Sequence, residues 1–583
     1  MALDAIAKGW ERSLILTGVT RVDRTHLVQW MRGLPPAWLR RVPLAATIFA
    51  VLGFAGSLSP SLLPRSGLFQ GVVTGLSTAA WYGFGTLVDR GGLRLARALG
   101  VRVEVKAAVR IWALRLLVIA LIALVTLAPF IALNQQQDLA RAFDKPEPGF
   151  THGLISGTVG VATFALIIGI RQALAWLFNL VLRRLHRLPN MLAGFLASAT
   201  VVIVVLGVIQ WVLLGGVMRV VGGQQAEANA GTPKGVTQPQ EATLSGSPAS
   251  AESWESLGYE GRHFVGIVPT AQRIAEVTGR PAKEPIRAYA GIGEDGGIDN
   301  AVERAIAELD RTDAWSRGSL VIFTTTGLGW VNRWSVQSAE YLTGGDVASV
   351  AVQHSTLPSA LALLDAPSNP REAGEKLTAA VLERVEALPA RERPKVYVSG
   401  ESLGAYGGEA AFSSMSEMLQ RVDGGVWTGP PAFTQIHAEV TRDRQGGSTE
   451  VNPVVDNGRH VRFADTVAEL TADQYGRALG PWDAPRIAYL QHRSDPVVWF
   501  HPALIFSEPD WLREDHSDTT TAGMTWLPVI TFWQVTADLA MSTSVPTGYG
   551  HNYRDEVVPT WAGVLGGDPT ADYQPIIDAI RYG

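Results

Sequence analysis

The sequence predicts an α-helical membrane bundle followed by an α/β domain with a mostly parallel sheet, and two observations support this. Apolar residues concentrate in roughly the first 220 residues, where several stretches are long enough to cross a bilayer. From about Trp254 onward, short apolar runs alternate with helical stretches, which is typical of a parallel sheet covered by helices. We therefore predict a transmembrane domain over residues 1–221, a flexible linker over 222–253 and an α/β domain over 254–583.

The composition excludes several kinds of site. The chain of 583 residues contains no cysteine, so thiol catalysis, disulfides and cysteine-ligated metals are excluded. Its net charge is -5, without the basic excess typical of nucleic-acid-binding proteins. We therefore expect no nucleic-acid partner, and no motif predicts a metal or another cofactor.

Five apolar stretches reach the length of about 20 residues that a helix needs to span a bilayer. They are Pro43–Leu62, Leu68–Val88, Ile111–Leu133, His152–Ala175 and Met191–Leu214. The third and fifth are the most apolar, whereas Gly, Ser and Pro interrupt the first two. Buried helices of a soluble core are the alternative, but five such stretches in series exceed what a soluble core needs. A cleaved signal peptide is not expected, because the first apolar run begins roughly forty residues into the chain.

Basic residues in the loops predict the orientation of this multi-pass domain. They cluster before the first stretch and after the second and fourth, at Lys8, Arg12, Arg21, Arg24, Arg32, Arg40, Arg41, Arg90, Arg94, Arg97, Arg102, Lys106, Arg110, Arg183, Arg184 and Arg187. The positive-inside rule places these loops and the N-terminus in the cytoplasm. With five spans in the inner membrane, all residues after Leu214 are then extracytoplasmic. Residues 222–253 contain few large apolar side chains, which predicts a flexible tether.

The α/β domain contains six predicted strands and at least four predicted helices. The strands are Ile286–Ala290, Leu320–Thr324, Val347–Val352, Lys395–Val398, Gly425–Trp427 and Arg486–Leu490. The helices are Ala301–Leu309, Ala373–Ala387, Gly404–Gln420 and Val529–Met541.

The segment Gly400-Glu401-Ser402-Leu403-Gly404 matches the pattern G-x-S-x-G between a predicted strand and a predicted helix. That context is required for a nucleophilic serine on a tight strand-to-helix turn. Ser402 would project above the sheet, and the amide of Leu403 at the start of the helix could donate to an oxyanion. The alternative is a glycine-rich turn that only packs.

A serine nucleophile needs a histidine base and an acid that orients it, and in this pattern they follow in the order Ser, acid, His. Asp495 lies just after the predicted strand Arg486–Leu490, and His551 lies in a Gly-rich loop near the C-terminus. We predict these two residues as acid and base. The alternatives are His501 and His516 as base, and Asp510, Asp515 and Asp518 as acid.

The second oxyanion donor is expected in the loop after an early strand. The strand Leu320–Thr324 runs into Thr326-Gly327-Leu328-Gly329-Trp330, where small residues would let a backbone amide reach the oxyanion. We predict Thr326 or Gly327 as that donor, and a simple glycine turn is the alternative.

Several longer segments resemble a known family. They are GDVASVAVQHSTLPSAL, GESLGAYGGEAAF, VWTGPPAF, YLQHRSDPVVWF and WLPVITFWQVTADL. They are similar to bacterial, largely actinobacterial, membrane-anchored α/β-hydrolases with an N-terminal transmembrane domain and a C-terminal catalytic domain. The resemblance implies a triad of Ser402, Asp495 and His551. Members of that family tend to read TGTGW around Leu328, so this chain departs from them at that position.

These features predict an esterase- or lipase-like serine hydrolase acting on an acyl ester at the outer face of the membrane. The expected partners are a lipid or acyl-ester substrate and membrane lipids, and Trp330 and Trp499 are candidates to line the acyl site. An acyltransferase acting on an envelope lipid or glycan is one alternative, and a transporter or sensor with a non-catalytic domain is another. All triad candidates follow the linker, so a chain beginning at Trp254 is expected to fold alone.

Overall fold

The computed structural model describes residues 43–99, 112, 115–117, 119–120, 132–293, 297–514 and 523–582. The chain forms two compact units. One consists of Met1–Ala55 and Thr78–Ala128, and the other of Gly56–Ser77 and Pro129–Gly583. The predicted N-terminal basic cluster before residue 43 lies outside the described residues, as do His516, Asp515 and Asp518.

Two helices of the described residues are long and apolar enough to cross a membrane. The first is α3 (Phe150–Arg184), and the second runs without interruption over Asn190–Ala230. The second consists of α4 (Asn190–Val208), a π-helical segment (Ile209–Leu214) and α5 (Gly215–Ala230). Only 6% and 11% of their most apolar stretches are buried, which suggests membrane association because outward apolar side chains suit a lipid environment.

The prediction of about five spans is therefore wrong for the described residues. The first predicted span is α1 (Leu44–Gly56), a helix of 13 residues that ends before the Pro-rich loop. At about 1.5 Å per residue it is shorter than the roughly 30 Å of a hydrocarbon core. The second corresponds to α2 (Gly67–Ala98), which is longer than predicted but is diluted by polar and charged residues such as Asp89 and Arg90. The third lies mostly outside the described residues.

Within the second unit, glycines at every fourth position of α2 contact α3 closely. A Cβ atom added at Gly71 would lie 2.6 Å from Cβ of Val159, and one added at Gly75 would lie 2.5 Å from Cβ of Thr163. Small residues at this spacing let helix backbones approach each other, and this is the usual way in which helices associate in a bilayer.

A seven-stranded sheet forms the centre of the α/β domain. Its strands are β1 (Ile286–Ala290), β2 (Ser319–Thr324), β3 (Val347–Val352), β4 (Lys395–Glu401), β5 (Gly424–Thr428), β6 (Val461–Ala464) and β7 (Arg486–Leu490). The order is β1-β3-β2-β4-β5-β7-β6, and all neighbouring strands are parallel. The predicted strands agree with this sheet except for β6, which was missed because a run of four residues carries little signal.

The α/β domain contains fourteen described helices, and those that pack on the sheet cover both of its faces, as expected for a parallel sheet. They are α6 (Gly258–Gly266), α7 (Ala271–Thr278), α8 (Ile298–Arg311), α9 (Arg333–Leu342), α10 (Ser359–Asp365), α11 (Asn369–Ala387), α12 (Leu403–Glu409), α13 (Met415–Arg421), α14 (Gln435–Arg442), α15 (Pro496–Trp499), α16 (Asp510–Arg513), α17 (Ile530–Leu539), α18 (Val557–Val564) and α19 (Gln574–Tyr582). Short 3₁₀ turns lie at Ala314–Ser316, Ala390–Glu392, Asp456–Gly458, Val467–Leu470 and Pro502–Ile505. One buried cluster packs under α8, α11 and α14, and another under α6, α7, α9, α18 and α19.

The predicted linker differs from a free tether. Its first part is helical as the end of α5, and the Arg262 side chain donates to the carbonyl of Ala230 at 2.7 Å. Farther along, the Ser245 amide donates to the Arg287 carbonyl at 3.0 Å, and its hydroxyl donates to Glu308 at 2.9 Å. Small polar residues therefore hold this segment through hydrogen bonds, which a search for large apolar side chains does not detect.

Residues that precede the predicted α/β domain also contribute to its packing. Leu62 and Leu63 are fully buried in a cluster with Val498 and Trp499. In the same region, Arg65 forms a buried ion pair with Asp538 of α17 at 3.4 Å. A chain beginning at Trp254 would lack these contacts, so the structure does not support the expectation that it folds alone.

Candidate active site

Ser402 lies on the turn between β4 and α12, at the carboxyl edge of the sheet. Its backbone has φ 55° and ψ −121°, a region that residues other than glycine rarely adopt. Its amide donates to the carbonyl of Thr428 at the end of β5, 3.0 Å away. Strained backbone of this kind persists where the surrounding structure enforces it, often at active sites.

The two glycines of the motif leave the space that this turn requires. A Cβ atom at Gly404 would lie 2.3 Å from the carbonyl oxygen of Thr324, at the end of β2. A Cβ atom at Gly400 would lie 2.5 Å from the carbonyl carbon of Gly404. Any other residue at either position would push the turn away from the sheet, which is the physical reason for the G-x-S-x-G pattern.

The structure brings Asp495 and His551 together. Asp495 follows β7 and is fully buried, and its Oδ2 lies 2.7 Å from Nδ1 of His551. Oδ1 of the same carboxylate accepts from the Val497 amide at 2.8 Å, and Oδ2 also accepts from the Tyr553 hydroxyl at 2.8 Å. The carboxylate is therefore held from three sides and fixes the orientation of the imidazole.

The other nitrogen of His551 is available for proton transfer. Nε2 is buried and makes no hydrogen bond to any residue that the structure describes, Ser402 included. Burial lowers the pKa of His551, but the carboxylate of Asp495, its hydrogen bond and the nearby Glu401 carboxyl outweigh burial, so the pKa is raised. The ring lies over Gly429, where an added Cβ atom would be 2.4 Å from Cε1. Gly429 directly follows Thr428, the residue that accepts from the Ser402 amide.

Two family models match this chain. Residues 286–574 match the model of an alpha/beta-hydrolase family, and residues 58–269 match the model of the N-terminus of the same family. The chain belongs to this alpha/beta-hydrolase family. A search of the curated proteins and a search of the solved structures each found no match.

The competing candidates for base and acid are placed elsewhere in this member of the family. His501 caps a short 3₁₀ turn, and its Nδ1 accepts from the Ala503 amide at 3.1 Å. Asp510 forms an ion pair with Arg444 at 2.8 Å on the surface. Neither contacts the Ser402 turn through a described hydrogen bond, so the geometry favours Asp495 and His551.

The loop after β2 contains two amides that were predicted as oxyanion donors, and only one of them can easily exchange its present hydrogen-bond acceptor for an oxyanion. The Thr326 amide donates to the Trp330 carbonyl at 3.0 Å and closes the turn, which contradicts its prediction as a free donor. The Gly327 amide donates to the Ser359 hydroxyl at 3.3 Å, a long hydrogen bond that an anionic oxygen could replace. Leu403 is the first residue of α12, as predicted.

The structure contradicts one of the two predicted substrate-binding tryptophans, Trp499, and leaves Trp330 as a prediction. Trp499 is 4% exposed, packs on Trp511 and donates to the His492 carbonyl at 3.1 Å. It therefore supports the loop of the acid rather than lining an acyl pocket. Trp330 borders a cavity of about 10 Å³ beneath the Ser402 turn, together with Asn332. A cavity of that size has room for about one water molecule and not for an acyl chain.

Sequence reasoning missed Glu401, the neighbour of the nucleophile. Its buried carboxyl accepts from Asn332 at 2.5 Å and from the Thr428 hydroxyl at 3.2 Å. Burial raises the pKa of Glu401, against the opposing effect of His551 and of these hydrogen bonds. Glu401 thus links β4 to β5 in the position next to Ser402.

Sequence reasoning also missed the role of His492. Its ring stacks on Tyr553 at 4.1 Å, and its Nδ1 lies 2.7 Å from the carbonyl oxygen of Gly550. Its Nε2 lies 3.4 Å from Glu556. Burial opposes the charge, but Glu556, Asp465 and the Gly550 carbonyl together raise the pKa of His492 to about 9. A charged His492 therefore stabilises the loop of His551 through its contact with the Gly550 carbonyl. The only sequence signal for this role is the position of His492 three residues before Asp495.

Proposed function

We propose that this protein is a membrane-anchored serine hydrolase of the esterase or lipase type, with Ser402 as nucleophile, His551 as base and Asp495 as the acid. The observation that carries this proposal is the strained turn at Ser402 beside the 2.7 Å contact between His551 and Asp495. The same three roles recur on unrelated folds and are recognised by their geometry.

The proposed reaction proceeds through an acyl-enzyme. Ser402 Oγ attacks the acyl carbonyl while Nε2 of His551 takes its proton, and the negative oxygen that forms accepts from the amides of Leu403 and Gly327. The intermediate collapses, the alcohol leaves with the proton from His551, and water then attacks the acyl-enzyme with His551 again as base. Asp495 keeps the imidazole in the tautomer with its proton on Nδ1 and stabilises the imidazolium.

A fluorophosphonate probe tests the nucleophile directly, because it reacts with activated serines. We expect Ser402→Ala to abolish labelling in isolated membranes, whereas Ser416→Ala, a change of an exposed serine on α13, leaves labelling at the wild-type level. His551→Ala should lower turnover of a short ester such as p-nitrophenyl butyrate about 10³–10⁴-fold. Labelling of Ser402→Ala at the wild-type level would refute the assignment.

We further propose that the α/β domain is extracytoplasmic. The two apolar helices form a hairpin. Arg183 and Arg184 are the last residues of α3, and Arg187 lies in the turn that follows. The positive-inside rule assigns this turn to the cytoplasm, so the outer ends of both helices lie on the opposite side.

Single cysteines test this orientation, since the chain has no cysteine of its own. A membrane-impermeant maleimide should label Tyr582→Cys in intact cells, and His186→Cys only after the membrane is permeabilised. The reverse pattern would contradict the orientation.

A further inference from the structure

The continuous apolar helix packs against a cluster that includes Leu403, the residue after Ser402. Met218 of α5 packs against a cluster formed by Leu357, Ala362 and Leu403, the residue that follows the nucleophile. One turn later, a Cβ atom on Gly222 would lie 3.9 Å from Leu357. The turn that holds Ser402 and the apolar helix therefore share one packing cluster.

Two further segments that flank apolar helices contact the loop of His551. The side chain of Leu63, which lies between α1 and α2, would be 3.5 Å from a Cβ atom on Gly550. Phe143, which precedes α3, packs its ring on Tyr549 at 4.9 Å. Residues next to Ser402 and next to His551 are thus both contacted by segments that flank the apolar helices of this unit.

The surface of α5 indicates where the bilayer ends. Val217 and Val220 are 42% and 62% exposed, whereas Arg219 between them is exposed and charged, and the sequence from Gly222 continues as Gly-Gly-Gln-Gln. This change from apolar to charged and polar side chains over residues 219–225 marks the level of the interface. Met218 lies at that level, directly before Arg219. The helix then continues into the α/β domain, where the Asn229 side chain accepts a hydrogen bond from Gln353 at 3.1 Å. This contact fixes the position of the domain relative to the membrane interface.

Apolar side chains surround the nucleophile on this side. Leu361, Leu363 and Tyr406 are partly buried in the same cluster as Leu403. Leu364 of α10 is 66% exposed, and Phe433, which packs on Tyr406 at 5.2 Å, is 42% exposed. We name the exposed pair Leu364 and Phe433 the apolar rim. Leu364 follows Leu363 in the chain and Phe433 packs on Tyr406, so each exposed side chain adjoins the cluster that includes Leu403. Exposed apolar side chains in such a place indicate contact with an apolar partner.

We propose that the substrate is an acyl lipid resident in the bilayer, and that its ester reaches Ser402 from the outer leaflet while its acyl chain lies against the apolar rim. This inference rests on the proposed serine hydrolase function and adds the class of substrate and its route. A soluble ester needs no such route, because it reaches the serine from water.

The test compares two substrates on the full-length protein in lipid vesicles. One is a diacyl phospholipid within the vesicle, and the other is p-nitrophenyl butyrate in the surrounding solution. We expect Leu364→Glu to lower the ratio of lipid turnover to butyrate turnover about 10-fold or more, because a charge replaces an apolar contact for the chain. Tyr582→Glu, a change of an exposed aromatic residue on α19, should leave the ratio unchanged.

The outcomes separate this inference from the proposed function. If the wild type hydrolyses the butyrate but no vesicle lipid, or if Leu364→Glu leaves the ratio unchanged, the inference is refuted and the hydrolase proposal stands. If the wild type hydrolyses neither ester and Ser402 reacts with no fluorophosphonate, the proposed function itself fails. Probe labelling of Leu364→Glu reports whether that variant is folded.

A second measurement tests the position of the rim without any turnover. An environment-sensitive dye on Leu364→Cys should be quenched by lipids brominated on their acyl chains, and the same dye on Tyr582→Cys should not. Equal quenching at both positions, or quenching at neither, would overturn the proposed location of the rim.

Discussion

The buried ion pair between Arg65 and Asp538 provides a test of how the segment before α2 supports the α/β domain. Both side chains are inaccessible to solvent, with Nε of Arg65 3.4 Å from Oδ1 of Asp538. Oδ2 of Asp538 accepts from the Ser61 hydroxyl at 2.6 Å and from the Leu62 amide at 3.1 Å. Burial raises the pKa of Asp538 to about 6, against the lowering effect of Arg65 and these hydrogen bonds.

Removal of one partner leaves the other charge buried without compensation. We expect Arg65→Met and Asp538→Asn each to lower the free energy of unfolding by about 3 kcal/mol, the lower end of the range for a broken buried pair. The double variant should lose less than the sum of the two, because it leaves no unpaired charge. Turnover should also fall, since Asp538 lies at the end of α17 and the following Ser542 carbonyl accepts from the His551 amide at 2.7 Å.

Denaturant unfolding in detergent, followed by tryptophan fluorescence, measures these differences, and p-nitrophenyl butyrate measures turnover. Arg141→Met, which removes a side chain that pairs at the surface with Asp138, is the matched control and should cost less than about 1 kcal/mol. Strictly additive losses in the double variant would show that the two side chains do not interact. If Arg65→Met has the same free energy of unfolding as the wild type, the reasoning is refuted.

Three further results are expected. Asp495→Asn should lower kcat about 10⁴-fold and move the acid limb of the pH–rate profile to lower pH, because the carboxylate raises the pKa of His551; an unmoved limb would contradict this. Gly404→Ala should abolish fluorophosphonate labelling because its Cβ atom would meet Thr324, whereas Gly157→Ala, with nothing within 4 Å, should retain it. The pKa of His492 is raised to about 9. The protonated side chain therefore contributes its whole stabilisation of the folded state below about pH 6.5, and this contribution is lost as the pH rises through 9. The melting temperature of wild type should therefore fall toward that of His492→Gln over this range, and a constant difference would refute the effect.

The local features of the site could be predicted because they depend on few neighbouring residues. A tight strand-to-helix turn excludes side chains at Gly400 and Gly404, and this steric demand appears as a short motif. The position of Asp495 after a strand predicts it as the acid, and the chain order and Gly-rich loop of His551 predict it as the base; the structure places the two side chains 2.7 Å apart. The spans were harder to predict, since length and apolar content do not show where a helix such as α1 ends.

The sequence by itself determined the alternation of strands and helices and the residue at the nucleophile turn, because hydrophobic periodicity and backbone sterics act over a few residues. Only the tertiary structure decided which distant groups meet. Arg65 forms an ion pair with Asp538, and His492 lies within hydrogen-bonding distance of the Gly550 carbonyl in the loop of His551. Met218 packs against the cluster that includes Leu403, next to Ser402. Packing of the same kind buries Trp499, which packs on Trp511 and lies in one cluster with Leu62. Such pairings depend on how segments far apart in the chain pack around one core, and no local pattern records that packing.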